Sequence, residues 1–209
     1  MIVGAALVRN EAGRYLERVL ENAWQFCQRI VVLDDNSDDQ TPEIAKRMGC
    51  NVHEYPEGEA SWGNTEGMAR ARLWALASTL AGPDGWIYVF DADHEMMGIS
   101  PEGFQELCSS DYANAWGFPL WDCWDSDQQM RVDGYWQAHT TARPWLFKAK
   151  PEEGFAALWN TRGVHCGHAP MNYPIQGQVA PPGAAIRHLG YIKEEHRQEK
   201  AARYLALAG

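Results

Sequence analysis

Short apolar runs alternate with amphipathic segments along the first half of the chain. Most of the apolar runs are unbroken by polar residues, which is typical of strands buried on both faces of a sheet. The predicted strands cover 2–8, 30–33, 51–55 and 86–90, and the predicted helices cover 11–26, 41–49 and 65–80. Asn10 is the expected N-cap of the first helix. This alternation predicts an α/β fold with a mainly parallel central sheet flanked by helices.

The second half of the chain has a less regular pattern. Ser100 and Pro101 are typical of the start of a helix. Strand-like segments follow at 112–121, 129–137 and 143–148, then a proline-rich loop region at 149–185 and a helix at 193–207. Because no repeat or linker divides the chain, we predict one domain over 1–209, with a first half, 1–97, and a mixed half, 98–209.

Polar clusters follow three of the predicted strands, at 9–11, 34–39 and 91–95. In parallel α/β sheets, ligands bind beyond the carboxyl ends of the strands. We therefore expect the three clusters to face one crevice. An Asx turn that caps the next helix is the simpler interpretation of 34–39 alone.

Asp91-Ala92-Asp93 is the sharpest local signal in the chain. Two carboxylates separated by one small residue, directly after a buried strand, can reach the same divalent cation. Oxygen ligands suit Mg²⁺ or Mn²⁺, and such an ion can neutralise a diphosphate leaving group. The alternative is a solvated acidic turn.

The composition indicates an acidic globular protein. Lys and Arg total 18 and Asp and Glu total 28, so the net charge is −10. This acidity counts against nucleic acid as a partner. The five cysteines are widely spaced and odd in number, which favours free thiols in a reducing compartment, so we expect a cytoplasmic protein. No apolar run reaches the roughly 18 residues of a membrane span.

Six segments resemble, in order, the motifs of family-2 glycosyltransferases, which have the GT-A fold. They are 8–11, 32–41, 69–70, the DXD motif at 90–93, 143–165, and 186–204 with its His, Gly-Tyr, Lys and Arg-Tyr. The resemblance covers most of the chain. It implies a Rossmann-like GT-A fold, with nucleotide-sugar binding in the first half and acceptor binding in the second.

The resemblance also implies an activity and a set of site residues. The implied reaction is metal-dependent, inverting transfer of a sugar from a nucleoside diphosphate, UDP- or GDP-linked, to a hydroxyl acceptor that the sequence does not identify. The implied nucleotide-sugar contacts are Arg9, Asn10, Glu11, Asp34, Asp35, Arg70, Asp91, Ala92 and Lys200. The implied Mn²⁺ or Mg²⁺ ligands are Asp93 and His188, with Asp91 beside them.

Two departures from the family pattern affect the chemistry. His94 stands where a Glu often follows the DXD motif, and Cys166 stands where the family has a carboxylate. Inverting transfer needs a general base. His165 is the first choice because it lies in the matching segment and titrates near neutral pH. The other candidates for the base are Asp125, Asp122 and His168.

Three questions stay open at this stage. The first alternative to a glycosyltransferase is a nucleotidyltransferase, because it shares a nucleotide-binding sheet and an acidic metal site. The second is a degenerate protein that binds a nucleotide sugar or acts as a scaffold, because the carboxylate at 166 is missing. Since the acceptor half is small, a homo-oligomer or a partner subunit could complete it.

Overall fold

The computed structural model describes residues 1–56, 61, 65–150, 153–160 and 166–208, and all of these side chains except those of 203, 204, 207 and 208. The strands are β1 (Ile2–Val8), β2 (Arg29–Asp34), β3 (Asn51–Glu54), β4 (Trp86–Phe90), β5 (His94–Met97), β6 (Ala115–Asp122), β7 (Ala142–Lys148), β8 (Gly177–Val179) and β9 (Ala185–His188). The helices are α1 (Leu16–Ala23), α2 (Thr41–Arg47), α3 (Glu66–Ala81), α4 (Pro101–Cys108) and α5 (Glu194–Ala208), with short 3₁₀ turns at Ala138–Thr140 and Leu189–Tyr191.

The strands join in the order β3-β2-β1-β4-β7-β6-β9-β5, and β8 pairs with β6. The first four strands in this order are parallel. The pairings of β7 with β4 and β6 are antiparallel, whereas β6 and β9 run parallel. The α/β prediction with a parallel first half and a mixed second half is therefore confirmed.

Helices cover both faces of the sheet. Side chains along β1 alternate between two hydrophobic clusters, so Ala6 packs on one face and Ala5 on the other. The first face is covered by α1, α2 and α4, and the second by α3, whose Trp74 packs edge-on against Phe147. Burial on both faces explains why the strands read as apolar runs without alternation.

Asn10 is not an N-cap, because α1 begins only at Leu16. Asn10 has a left-handed backbone (φ 53°), and its Oδ1 accepts a hydrogen bond from the Asp38 amide at 3.0 Å. The short polar side chain of asparagine tolerates this conformation better than most residues do. Asn10 therefore braces the loop after β2 instead of starting a helix.

The strand predicted at 129–137 is wrong, and β5 was not predicted. Over 129–137 the pairing is limited to a single bridge between Cys123 and Met130. β5 contains buried polar residues whose partners are distant in the sequence. Glu95 accepts a hydrogen bond from Arg18 at 2.6 Å, and the strand pairs with β9. Such long-range partners leave no local pattern in the sequence.

The Phe104 side chain should contribute strongly to stability. It is fully buried and packs against Phe26, Tyr88 and Phe118. Phe104→Ala should lower the free energy of unfolding by about 3–5 kcal/mol, because it removes buried apolar area and leaves a cavity. Urea denaturation measures this change. In the control, Tyr112→Ala removes an exposed ring and should change it by no more than about 0.5 kcal/mol; equal effects would contradict the prediction.

Candidate active site

A cleft of about 750 Å³ opens beyond the carboxyl ends of β1 and β4. Ten of the residues that the sequence assigns to the site line it: Arg9, Asn10, Glu11, Asp35, Arg70, Asp91, Ala92, Asp93, His188 and Lys200. The strand-end clusters at 9–11 and 91–94 therefore meet, which is the arrangement expected of a parallel α/β sheet. Of the 34–39 cluster, only Asp35 reaches the cleft wall.

Asp91 is paired with an arginine from α3. Arg70 Nη2 lies 3.2 Å from Asp91 Oδ1, and Arg70 Nε donates to Glu66 Oε1 at 3.0 Å. Withdrawal from water would raise the pKa of Asp91, but Arg70, His168 and His94 together hold that pKa well below its usual range. Arg70 Nη1 is buried and has no hydrogen-bond partner among the described residues. This donor is therefore available to an anionic ligand.

Asp93, His94 and His188 form a cluster with the geometry of a metal site. One ligand atom from each lies within 4.8 Å of the others. Lys200 Nζ is 2.9 Å from both Asp93 Oδ2 and His188 Nε2, so an ammonium group already occupies a cation position between these two atoms. Gly190 leaves room for it, because a Cβ at that residue would lie 2.2 Å from Asp93 Oδ2.

Burial and pairing together set the charges of this cluster. Burial would raise the pKa of Asp93, but His188 and Lys200 hold it well below its usual range. Burial lowers the pKa of His94 to about 4, so this ring is neutral near pH 7. Burial acts to lower the pKa of His188 too, but the carboxylates of Asp93 and Asp122 together make the net shift upward. An ionised Asp93 and a neutral His94 are the forms that bind a cation.

Asp122 lies behind His188 at the end of β6 and is buried. Its Oδ1 is 2.6 Å from His188 Nδ1, and its Oδ2 accepts a short hydrogen bond from Trp136 Nε1. Trp136 itself lines the cleft. Both carboxylate oxygens of Asp122, one of the alternative bases, therefore already accept hydrogen bonds.

His168 lines the opposite part of the cleft wall. Its ring packs on Trp145 with 4.1 Å between centroids, and its Nε2 is 3.7 Å from Asp91 Oδ2. Burial lowers the pKa of His168, so the ring is neutral near pH 7. A neutral imidazole in this place can accept a proton.

Asp34 and Asp35 have different environments. Asp34 accepts hydrogen bonds from the hydroxyl and amide of Ser37, at 2.6 and 3.0 Å, and is not among the residues that line the cleft. Asp35 accepts from the amide and hydroxyl of Ser61, both at 2.9 Å, and borders the cleft. The structure therefore places Asp35, and not Asp34, where it can face a ligand.

Of the two residues predicted to be catalytic, the structure describes only Asp125. Asp125 is exposed, pairs with Arg197 at 2.9 Å, and does not line the cleft. Its position outside the cleft lining does not favour a role as general base. His165 lies outside the described residues, so its role stays a prediction.

Glu66 and Tyr191 line the cleft but were not assigned from the sequence. Glu66 stands four residues before Arg70 on α3, and this spacing alone could have suggested an ion pair. Tyr191 packs its ring 4.6 Å from Lys200 Nζ. That contact depends on the return of α5 to the sheet, which local patterns do not reveal.

Fold and site together define an α/β protein with a polar cleft at its strand ends and an acidic pair that can hold a cation. The sequence profile of the family described as "Glycosyl transferase family 2" matches residues 7–175. The chain therefore belongs to glycosyl transferase family 2, a family of enzymes. No helix in the described part of the chain is long and apolar enough to cross a membrane.

Several solved structures are similar to the chain over part of its length. Staphylococcus aureus TarS 1-349 in complex with UDP has a TM-score of 0.46 at 17% identity, over 58% of this chain and 36% of that one. The Pyrobaculum calidifontis mannosyltransferase PcManGT in complex with GDP-Man and Mn²⁺ has a TM-score of 0.41 at 17% identity, over 56% and 34%. Glucosyl-3-phosphoglycerate synthase from Mycobacterium tuberculosis has a TM-score of 0.40 at 18% identity, over 59% and 44%.

The matched region therefore spans less than half the length of each of these three proteins. No curated protein matches the chain significantly.

Proposed function

We propose that this protein transfers a sugar from a nucleoside-diphosphate donor, UDP- or GDP-linked, to an acceptor hydroxyl, with inversion and with dependence on Mn²⁺ or Mg²⁺. One observation carries the proposal. Asp91 and Asp93 follow β4 into the cleft, and Asp93 already contacts a cation there, the ammonium group of Lys200. Family membership supports it. We infer that residues 9–11 and Asp35 receive the nucleoside, because they border the same cleft.

The residues of the cluster fit a divalent metal ion. The ammonium of Lys200 shows that Asp93 and His188 accept a cation, and Gly190 leaves the space for it. Asp93, His94 and His188 would hold the ion, with Asp91 beside them. Two imidazoles next to a carboxylate favour Mn²⁺ over Mg²⁺, which prefers oxygen ligands. When bound, the ion would supply positive charge to the diphosphate leaving group.

The chain's own groups would perform the remaining steps. In the proposed reaction the acceptor oxygen bonds to the anomeric carbon while the bond to the diphosphate oxygen breaks on the opposite face, so the configuration inverts. Arg70 Nη1 and Lys200 Nζ are the cations placed to bind the diphosphate. We infer that the general base, which takes the proton of the acceptor hydroxyl, comes from the segment 165–168, in which His168 lines the cleft.

Nucleotide binding in the presence of metal tests this function. A nucleoside diphosphate at a hundred times its dissociation constant should raise the melting midpoint by about 5–10 °C for a domain of this size. The measurement is differential scanning fluorimetry with UDP, GDP and their sugars, each with Mn²⁺, Mg²⁺ or EDTA. Arg70→Met should abolish the shift, whereas Arg72→Met, at an exposed position two residues further along the same helix and outside the cleft, should preserve it. If no nucleotide shifts the midpoint with any metal, the proposal fails.

A second candidate function is nucleotide-sugar binding without transfer. It is favoured by the pairing of every described carboxylate that lines the cleft: Glu11, Asp35, Glu66, Asp91, Asp93 and Asp122 each have a cationic or hydrogen-bonding partner. The described residues therefore offer no unpaired carboxylate as a base. Metal-dependent nucleotide binding without release of nucleoside diphosphate from the donor would support this candidate.

A further inference from the structure

We propose that Asp122 is a positioning residue that fixes the tautomer of His188, so that the Nε2 lone pair of His188 points at the cation position. This inference rests on the proposed function, because it concerns the same site. It also removes Asp122 from the candidates for the general base and gives it a separate role.

The backbone places the two side chains together. Asp122 ends β6 and His188 ends β9, and the two residues are register partners in neighbouring parallel strands. Their side chains meet with Asp122 Oδ1 at 2.6 Å from His188 Nδ1. Both residues are buried, so water does not compete for this contact. Two strand ends thus hold the carboxylate and the ring in fixed relative positions.

The contacts of both ring nitrogens indicate which tautomer is present. Lys200 Nζ lies 2.9 Å from His188 Nε2, and an ammonium group can only donate hydrogen bonds. His188 Nε2 also lies 3.2 Å from Asp93 Oδ2, but this contact is longer than the one with the ammonium. The carboxylate of Asp122 lies 2.6 Å from Nδ1 and can only accept, so the two shortest contacts of the ring agree on a proton at Nδ1 and an acceptor at Nε2. That N–H donates to Asp122 Oδ1. The same tautomer presents a lone pair to a metal ion, which can take the place of the ammonium.

The second oxygen of Asp122 is fixed by the cleft wall. Trp136 Nε1–H donates to Oδ2, and the Trp136 amide in turn donates to Asp133 Oδ1 at 3.1 Å. Trp136 also packs edge-on against Tyr191, whose ring lies next to His188. The carboxylate of Asp122 is thus held at both oxygens and can only accept. A carboxylate behind a ligating histidine orients the ring and raises its basicity as a ligand.

Asp122→Asn tests the inference without a large change in shape. The asparagine oxygen can still accept from Trp136, so its amide would face His188 Nδ1 and donate to it. The proton of the ring would then move to Nε2, which could no longer bind a cation. Mn²⁺ affinity, measured by the electron paramagnetic resonance of free Mn²⁺, should fall about 10–100-fold. Asp111→Asn, at an exposed turn, is the matched control and should bind Mn²⁺ like the wild type.

The tautomer can also be observed directly in the wild-type protein, so the inference is testable even if Asp122→Asn does not fold. Long-range ¹H–¹⁵N NMR of the imidazole rings, with His188→Gln for assignment, should show the Nδ1–H form of His188. An Nε2–H form in the wild type would overturn the inference, as would unchanged Mn²⁺ affinity in a folded Asp122→Asn variant. If the variant loses Mn²⁺ affinity but the wild type binds no nucleotide, the proposed function fails while the role of Asp122 is supported. If the wild type binds no Mn²⁺, the proposed metal dependence fails. The role of Asp122 is then tested only by the NMR measurement of the His188 tautomer.

Discussion

Replacing Asp93 by Asn should lower the rate of sugar transfer about 10²–10³-fold, equivalent to roughly 3–4 kcal/mol of transition-state stabilisation. Asp93 is the carboxylate that shares a cation position with His188 and Lys200. An asparagine has nearly the same shape but no charge, so it would hold a cation far more weakly. The measurement is kcat with the donor identified by thermal shift, together with Mn²⁺ affinity of the same variant.

Asp84→Asn is the matched control for this prediction, because Asp84 is an exposed aspartate in the turn before β4. It should leave both kcat and Mn²⁺ affinity unchanged. The loss of the half-buried Asp93 carboxylate also leaves Lys200 with one partner fewer, so we expect a destabilisation of about 1–3 kcal/mol. Near-wild-type transfer by a folded Asp93→Asn variant would show that the cluster does not hold the catalytic cation.

The parallel half of the fold could be predicted because its determinants are local. Residues such as Val32 and Ile87 belong to apolar runs long enough for a strand and too short for a helix. Their burial on both faces then follows from helices packed above and below. The Asp91 and Asp93 carboxylates follow directly from the end of such a run, so their place at the cleft was also predictable.

The second half of the site depends on contacts across the chain. His188 could be assigned only by family resemblance, because its neighbours Asp93 and Asp122 are 95 and 66 residues away. Asp122 was recognised from the sequence as a candidate base. Its hydrogen bond with Trp136, and hence its positioning role, needed the three-dimensional arrangement.

The contrast between Asp34 and Asp35 has a similar cause. Both belong to one acidic cluster, and composition does not distinguish between them. In the structure the chain turns at Asn36, which has a left-handed backbone, and Ser37 folds back onto Asp34. Asp35 instead meets Ser61, which is 26 residues further along. Asp34 therefore closes a local turn while the adjacent Asp35 borders the cleft, and the contact of Asp35 with a ligand stays a prediction.

Gly190→Ala should be nearly as damaging as the loss of Asp93, although it adds only one methyl group. A Cβ at Gly190 would lie 2.2 Å from Asp93 Oδ2, 2.3 Å from Lys200 Nζ and 3.0 Å from His188 Nε2. These groups must then move apart by about 1 Å, and a misplacement of that size can reduce a rate about 10²-fold. The backbone of Gly190 is not left-handed, so alanine would cause no backbone strain there. The damage would come from the clash of the added methyl group with the side chains around the cation position.

The control for this variant is Gly103→Ala on α4, where the added Cβ meets mainly the flexible side chain of Ile99. Gly103→Ala should bind Mn²⁺ and nucleotide like the wild type, since α4 does not line the cleft. For Gly190→Ala we expect weaker Mn²⁺ binding by electron paramagnetic resonance and a smaller nucleotide-induced shift of the melting midpoint. Wild-type Mn²⁺ affinity in a folded Gly190→Ala variant would mean that the ion binds away from Asp93 and His188, and the metal site proposed for this cleft would have to be abandoned.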